Sequence, residues 1–161
     1  PVGRRRHGVR MQPTNVLREE HEVIQQVLDC VEQLALRAER GALDLASCRE
    51  ALDFLGVFAD RCHHGKEEER LFPALGAKGL PKDVGPVAVM LAEHVRGRNA
   101  IQGMRQAVAA AGHGAPGAAR EFASAARGYV ELLRDHIEKE IKEEFVNTNI
   151  TIHLEPAADG V

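Results

Sequence analysis

The chain has 161 residues, of which 44% are hydrophobic, 28% charged and only 4% aromatic, with a formal net charge of −3. That length suits one domain with a continuous core, and the scarcity of aromatics argues against a β-sandwich and for an Ala/Leu/Val-rich helical protein. The mild acidity offers no footprint for a nucleic acid or a membrane surface, and no apolar run approaches the ~20 residues of a membrane span or forms a signal-peptide core, so a cytoplasmic protein is expected.

The opening residues 1–10 (PVGRRRHGVR) show no hydrophobic period and are set apart as a disordered leader or an expression remnant, with His7 solvated. The folded domain is expected over 11–146. Helix 1 is predicted from a cap at Thr14 or Asn15 to about Arg40, where Gly41 stops it. Leu17, His21, Ile24, Leu28, Val31, Ala35 and Ala38 follow steps of four and three, the seam of a bundle helix.

Helix 2 is predicted from Asp44 or Ser47 to about Leu71, because Pro73 should block continuation. Its apolar face carries Leu52, Leu55, Phe58, Ala59 and Cys62, and His63 and Glu67 continue one edge of it. A loop punctuated by Gly76, Gly79, Pro81, Gly85 and Pro86 follows. Helix 3 is predicted from Pro86 or Val87 to Ala111, with Val87, Met90, His94, Gly97, Ile101, Met104 and Val108 on its seam. The segment GHGAPG is a turn that exposes His113.

Helix 4 is predicted from about Pro116 to Phe145 or Val146, with Phe122, Ala126, Tyr129, Leu133, His136 and Glu140 inward and the rest of the acidic run 138–144 solvated. Residues 147–161, with His153, read as a tail. Four helices joined by short loops predict an all-α, up-down-up-down antiparallel bundle. No internal repeat beyond the seam period is evident. Cys30, Cys48 and Cys62 form neither a C-x-x-C pair nor a disulfide framework and read as reduced, partly buried thiols.

Every seam carries polar groups where a bundle wants Leu or Ile: His21, His63 with Glu67, His94, and His136 with Glu140. Burying an unpaired carboxylate costs several kcal/mol and each unsatisfied imidazole roughly 1–3 more. Measured along the predicted helices at 1.5 Å per residue, all four sets lie ~9–12 Å from the same end of the bundle. They form one layer, which predicts a metal site.

A His-x-x-x-Glu pair puts both side chains on one face, one turn apart. Four imidazoles and two carboxylates exceed what one tetrahedral zinc uses. They suit two iron or manganese ions bridged by the carboxylates, nitrogen-rich ligation favouring iron. His64 and Glu68 repeat the spacing about 100° round the helix and are assigned to a supporting role or to solvent. Arg98, one turn beyond His94, is either a gate for a bound ligand or a solvated side chain; Tyr129 is either a core aromatic or a redox partner. Met90 and Met104 fill the core.

The segments REEHEVI around His21, HHGKEEERLFP around His63 and Glu67, MLAEHVRGR around His94 and LLRDHIEKE around His136 and Glu140 together resemble the hemerythrin-like (HHE cation-binding) family from about Met11 to Phe145. The resemblance implies a four-helix bundle with His21, His63, Glu67, His94, His136 and Glu140 as iron ligands. It also implies two iron ions joined by an oxo or hydroxo bridge, with manganese or zinc as substitutes. The expected partners are O₂, NO or peroxide and a redox protein, and the chain is expected to act as a monomer or homodimer.

Binding or sensing is expected rather than dedicated enzymatic turnover. Iron storage or donation, iron-centre repair, and a metal-free regulatory bundle are the alternatives. Oxygen carriers of the family place another histidine where this chain has Arg98, and members often continue past the last glutamate with an LFP-like segment where this chain reads IKEEFVNTNITIH. Both departures bear on ligand chemistry at that end.

Overall fold

The computed structural model describes residues 13–142; the leader and tail expectations, and the last residues of helix 4, lie outside them. Four helices make up the bundle: α1 (Pro13–Glu39), α2 (residues 45–76), α3 (Pro86–Gly112) and α4 (Ala118–Lys142). Each packs against its two neighbours, α1 on α2 and α4, and α3 on α2 and α4. This is the expected antiparallel four-helix architecture. None of these helices is long and apolar enough to cross a membrane.

The seam residues behave as their spacing requires. Leu17, Ile24, Leu28, Val31, Ala35 and Ala38 of α1 are buried, as are Val87, Met90, Ile101, Met104 and Val108 of α3. α1 already includes Thr14 and Asn15, so neither is its cap. Asp44 does cap α2, accepting hydrogen bonds from the Ala46 and Ser47 amides. Gly41 and Gly117 turn the chain with φ of 79° and 82°, a region that favours glycine.

α2 departs from expectation. Its first part, Leu45–Phe54, is α-helical, but Leu55–His64 and Glu67–Leu71 are π-helical, with the Gly65 amide reaching back five residues to the Asp60 carbonyl. The helix also passes through Pro73 to Gly76 instead of ending at Leu71. The wider turn ahead of Pro73 relieves the clash its ring makes with a regular helix, and the missing amide costs no bond there. The same widening turns Cys62 out to solvent, correcting its place on the apolar face.

The extension roofs the bundle. Leu71, Phe72 and Leu75 join Leu17, Val87 and Met90 in a small apolar cluster separate from the main core. The main core runs from Ile24 to Ala38 on α1 and from Phe122 to Ile137 on α4, with facing residues of α2 and α3. Between these two apolar masses lies the polar layer.

Candidate metal centre

The structure brings the polar seam residues together. His21, His63, Glu67, His94, His136 and Glu140 are all at most 7% exposed. They fall into two groups whose ligand atoms lie within 4.8 Å of one another: His21, His63, Glu67 and Glu140, and His64, Glu67, His94 and His136. Convergence holds although α2 runs five residues past its predicted end at Leu71, to Gly76.

The two glutamates stand between the histidine pairs. Glu67 sets Oε1 3.1 Å from His63 Nε2 and Oε2 3.3 Å from His94 Nε2. Glu140 sets Oε2 2.9 Å from His21 Nε2 and Oε1 3.5 Å from His136 Nε2. Each carboxylate thus offers one oxygen to each side of the layer.

Behind the layer the imidazoles are braced by carboxylates. His63 Nδ1 meets Glu20 at 3.0 Å, His94 Nδ1 meets Glu68 at 2.7 Å and His136 Nδ1 meets Glu93 at 3.0 Å. His64 Nδ1 faces Asp60 at 3.6 Å. Cations hold these carboxylates in turn: Lys66 on Glu20, Lys139 on Glu93, and Arg98 on both Glu68 and Asp60. Such outer partners fix the tautomer and raise the basicity of a ligating imidazole. A carboxylate can only accept, so the Nδ1 atoms carry the protons and the Nε2 lone pairs point inward.

That arrangement leaves lone pairs facing lone pairs. His94 Nε2 and His136 Nε2 are 3.2 Å apart, a contact that needs a positive charge between the rings when both protons sit at Nδ1. Among the described residues, eight buried side-chain atoms, including His21 Nε2, His63 Nε2, His64 Nε2, Glu67 Oε2 and both Glu140 oxygens, have no hydrogen-bond partner. Orphans of this density demand an explanation. A bound cation would supply it, and the mixed imidazole and carboxylate donors fit a first-row metal such as iron.

The electrostatics agree. Burial would raise the Glu67 carboxyl, but the His63 and His94 imidazoles facing it hold it well below the usual range. Burial works against a charge on His63, yet the Glu20 and Glu67 carboxylates beside it raise it to about 9. Burial dominates at His64 and pushes it down to about 4, leaving a neutral imidazole.

A stability profile follows for the metal-free protein. A His raised from 6.5 to about 9 stabilises the fold fully below pH 6.5 and loses that contribution as pH rises through 9. A His lowered to about 4 contributes fully above pH 6.5 and loses it as pH falls toward 4. The chelated protein should therefore melt highest near pH 6.5 and lower on both sides. Thermal unfolding followed by circular dichroism checks this, and a melting temperature still climbing from pH 6.5 to 9 contradicts it.

Of the two readings the sequence allows for His64, its burial excludes solvent. It is buried, stacks on His94 with ring centroids 3.9 Å apart, and joins one donor group instead of facing solvent. The inward face of a bundle helix is wider than a two-position seam, as Ile137, next to His136 and also buried, demonstrates. Glu68 is part-buried against His94, and Arg98 is tied to Glu68 and Asp60 rather than free in solvent. Tyr129 is 1% exposed within the main core.

Glu20, Asp60, Glu93, Lys66 and Lys139 were not among the expected site residues. A signal existed: Glu20 and Glu93 each directly precede a seam histidine, and Lys66 and Lys139 each precede a seam glutamate. Among the comparisons, the family model described as Hemerythrin HHE cation binding domain matches residues 12–145. Neither the curated proteins nor the solved structures yielded a match.

Proposed function

From a chain that belongs to the hemerythrin HHE cation-binding family, we propose a resident pair of iron ions, one at each donor group, that binds or senses a small ligand such as O₂, NO or peroxide. The observation that carries this reading is the set of inward lone pairs without partners, shared between two groups that have Glu67 in common. Ferrous iron so placed supplies electrons to a small oxidising ligand. The chain's own residues do the rest. Glu67 and Glu140 balance charge across both positions, and Glu20, Glu68 and Glu93 lock the imidazole orientations. Phe72, stacked on His94 at 5.7 Å, and the roof cluster keep bulk water out.

A cavity of about 20 Å³ bordered by Leu17, Arg18, His21, Leu71 and Ile141 reaches Glu67 and Glu140. Space of that order admits one water-sized molecule, which favours diatomics and peroxide over larger substrates. Storage or donation of iron is less well served, because braced, buried histidines favour retention.

The test is metal analysis of protein purified in air, followed by anaerobic reduction and exposure to O₂ or NO. Iron near two per chain, with visible charge-transfer absorption that changes on adding the ligand, supports the reading. Iron that passes readily to an acceptor, or absorption indifferent to both gases, rejects it.

A further inference from the structure

The bundle contains an internal repeat that the seam period conceals. His21, His63 and Glu67 match His94, His136 and Glu140 at a constant offset of 73 residues. The braces behind them recur too: His63–Glu20 and His136–Glu93 both span 43 residues, and Lys66–Glu20 and Lys139–Glu93 both span 46. Earlier in α2 the offset is 74, because α2 holds one residue more than α4: buried Cys48, Leu52, Leu55 and Ala59 match buried Phe122, Ala126, Tyr129 and Leu133. α1–α2 and α3–α4 are therefore two versions of one helical hairpin, packed face to face.

The charges along the flanks of the two hairpins do not repeat; they invert. On one flank Arg98 of α3 takes Asp60 at 2.7 Å and also Glu68, and Arg105 takes Asp53 at 2.8 Å. On the other flank Arg127 of α4 takes Glu39 at 2.6 Å, and Arg134 takes Asp29 at 2.7 Å and Glu32 at 3.0 Å. In each of these pairs the carboxylate belongs to the first hairpin and the guanidinium to the second. Matched positions show the inversion directly. Asp53 and Asp60 stand where the second hairpin has Arg127 and Arg134, and Glu32 stands where it has Arg105. The totals agree: residues 13–76 hold 13 Asp and Glu against 7 Lys and Arg, a formal −6, whereas residues 86–142 hold 6 against 8, a formal +2.

We propose that the two hairpins carry an acidic and a basic docking face that select one another. The partner that fits the first hairpin is the arginine-bearing second hairpin of this fold, and another copy of the first is rejected. A like pair would not fail for want of polar-layer residues, since two first hairpins would bring His21, His63 and Glu67 twice, the same residue types that the unlike pair brings. It would fail at the flanks, where the two-fold sets Glu32 of one copy against Asp53 and Asp60 of the other. Two second hairpins would likewise set Arg105 against Arg127 and Arg134. Each ion pair contributes little alone, because the four arginine side chains are 36–54% exposed and salt screens them. Setting several like charges against one another across an interface has a larger effect and suppresses the wrong partner. The seams would accept either hairpin, and the flanks choose. Selection of this kind operates whichever cation fills the layer.

Exchange of hairpins in the full chain tests this. A site-specific protease sequence placed in the largely exposed 77–85 connection lets the chain be cut after it has folded. Cut wild type is mixed with a cut, isotope-labelled chain carrying Glu32→Arg, Glu39→Arg, Asp53→Arg, Arg105→Glu, Arg127→Glu and Arg134→Glu. The hairpins are parted in mild urea, returned to low salt and weighed by native mass spectrometry. Each first hairpin should rejoin the second hairpin of its own kind, with mixed first–second pairs at least about tenfold below their statistical share. A new complex should join the wild-type and inverted first hairpins, which are oppositely charged, while wild type alone yields no first–first pair. Sorting should vanish in about 1 M salt, where screening acts within about 3 Å. Statistical mixing at low salt, first–first pairs from wild type alone, or hairpins that part and do not rejoin would each overturn the proposal. Should the inverted chain not fold, Arg105→Glu alone and Arg105→Glu with Asp53→Arg take its place. The single change should speed exchange of the cut hairpins at least about tenfold and the double change restore the wild-type rate, and one rate shared by all three proteins would overturn selection by charge.

Discussion

Glu67→Ala should empty both metal positions, and its effect should exceed that of any bracing residue. Glu67 alone belongs to both donor groups, with one oxygen toward His63 and the other toward His94. Losing an outer partner such as Glu93, which touches His136 from behind, should weaken binding by roughly 10–100-fold. Losing Glu67 takes a direct donor from each cation and the negative charge that lets two cations sit side by side, so the loss should pass the top of that range for both. Iron per chain, measured after dialysis against a weak chelator, separates the cases. A variant that keeps one tightly held iron would show that Glu67 serves a single position. Glu93→Gln falling as far as Glu67→Ala would remove the distinction between holding the metal and bracing its ligands.

The fold was legible because the seams of α1, α3 and α4 are regular: each predicted inward residue, from Leu17 to Ala38 and from Phe122 to Glu140, is buried. The six expected donors came from the same regularity, since a histidine at a seam position has nowhere to point but inward. What the seam hid has physical causes. A strict two-position seam puts His64 outside, whereas the true inward face includes it, as it includes Ile137. Pro73 reads as a stop only for a helix of regular width, and α2 is π-helical just ahead of it. The bracing carboxylates Glu20 and Glu93 lie off the seam, beside it, and reach sideways to a histidine on the neighbouring helix. Glu20 and Glu93 nevertheless stand 73 residues apart, each directly before a seam histidine, so the two halves of the chain mark the same position.

A layer built for metal should be a liability without it, and that fixes the sign of the largest stability change. Replacing His21, His63, His64, His94 and His136 by Leu, and Glu67 and Glu140 by Met, converts the layer to one continuous with the two apolar clusters on either side. Exchanging buried charged groups for apolar side chains of similar volume is neutral or stabilising by about 1–4 kcal/mol. The outer carboxylates keep partners in Lys66, Lys139 and Arg98, so no buried charge is left alone. Urea unfolding should therefore find the substituted protein at least as stable as chelated wild type, and indifferent to iron. Wild type should move the other way: with free metal at 1,000 times its dissociation constant, each site adds about 4.1 kcal/mol. If the layer instead served a metal-free interaction bundle by specifying its packing, wild type would not respond to chelation, and the substituted protein would be the less stable of the two.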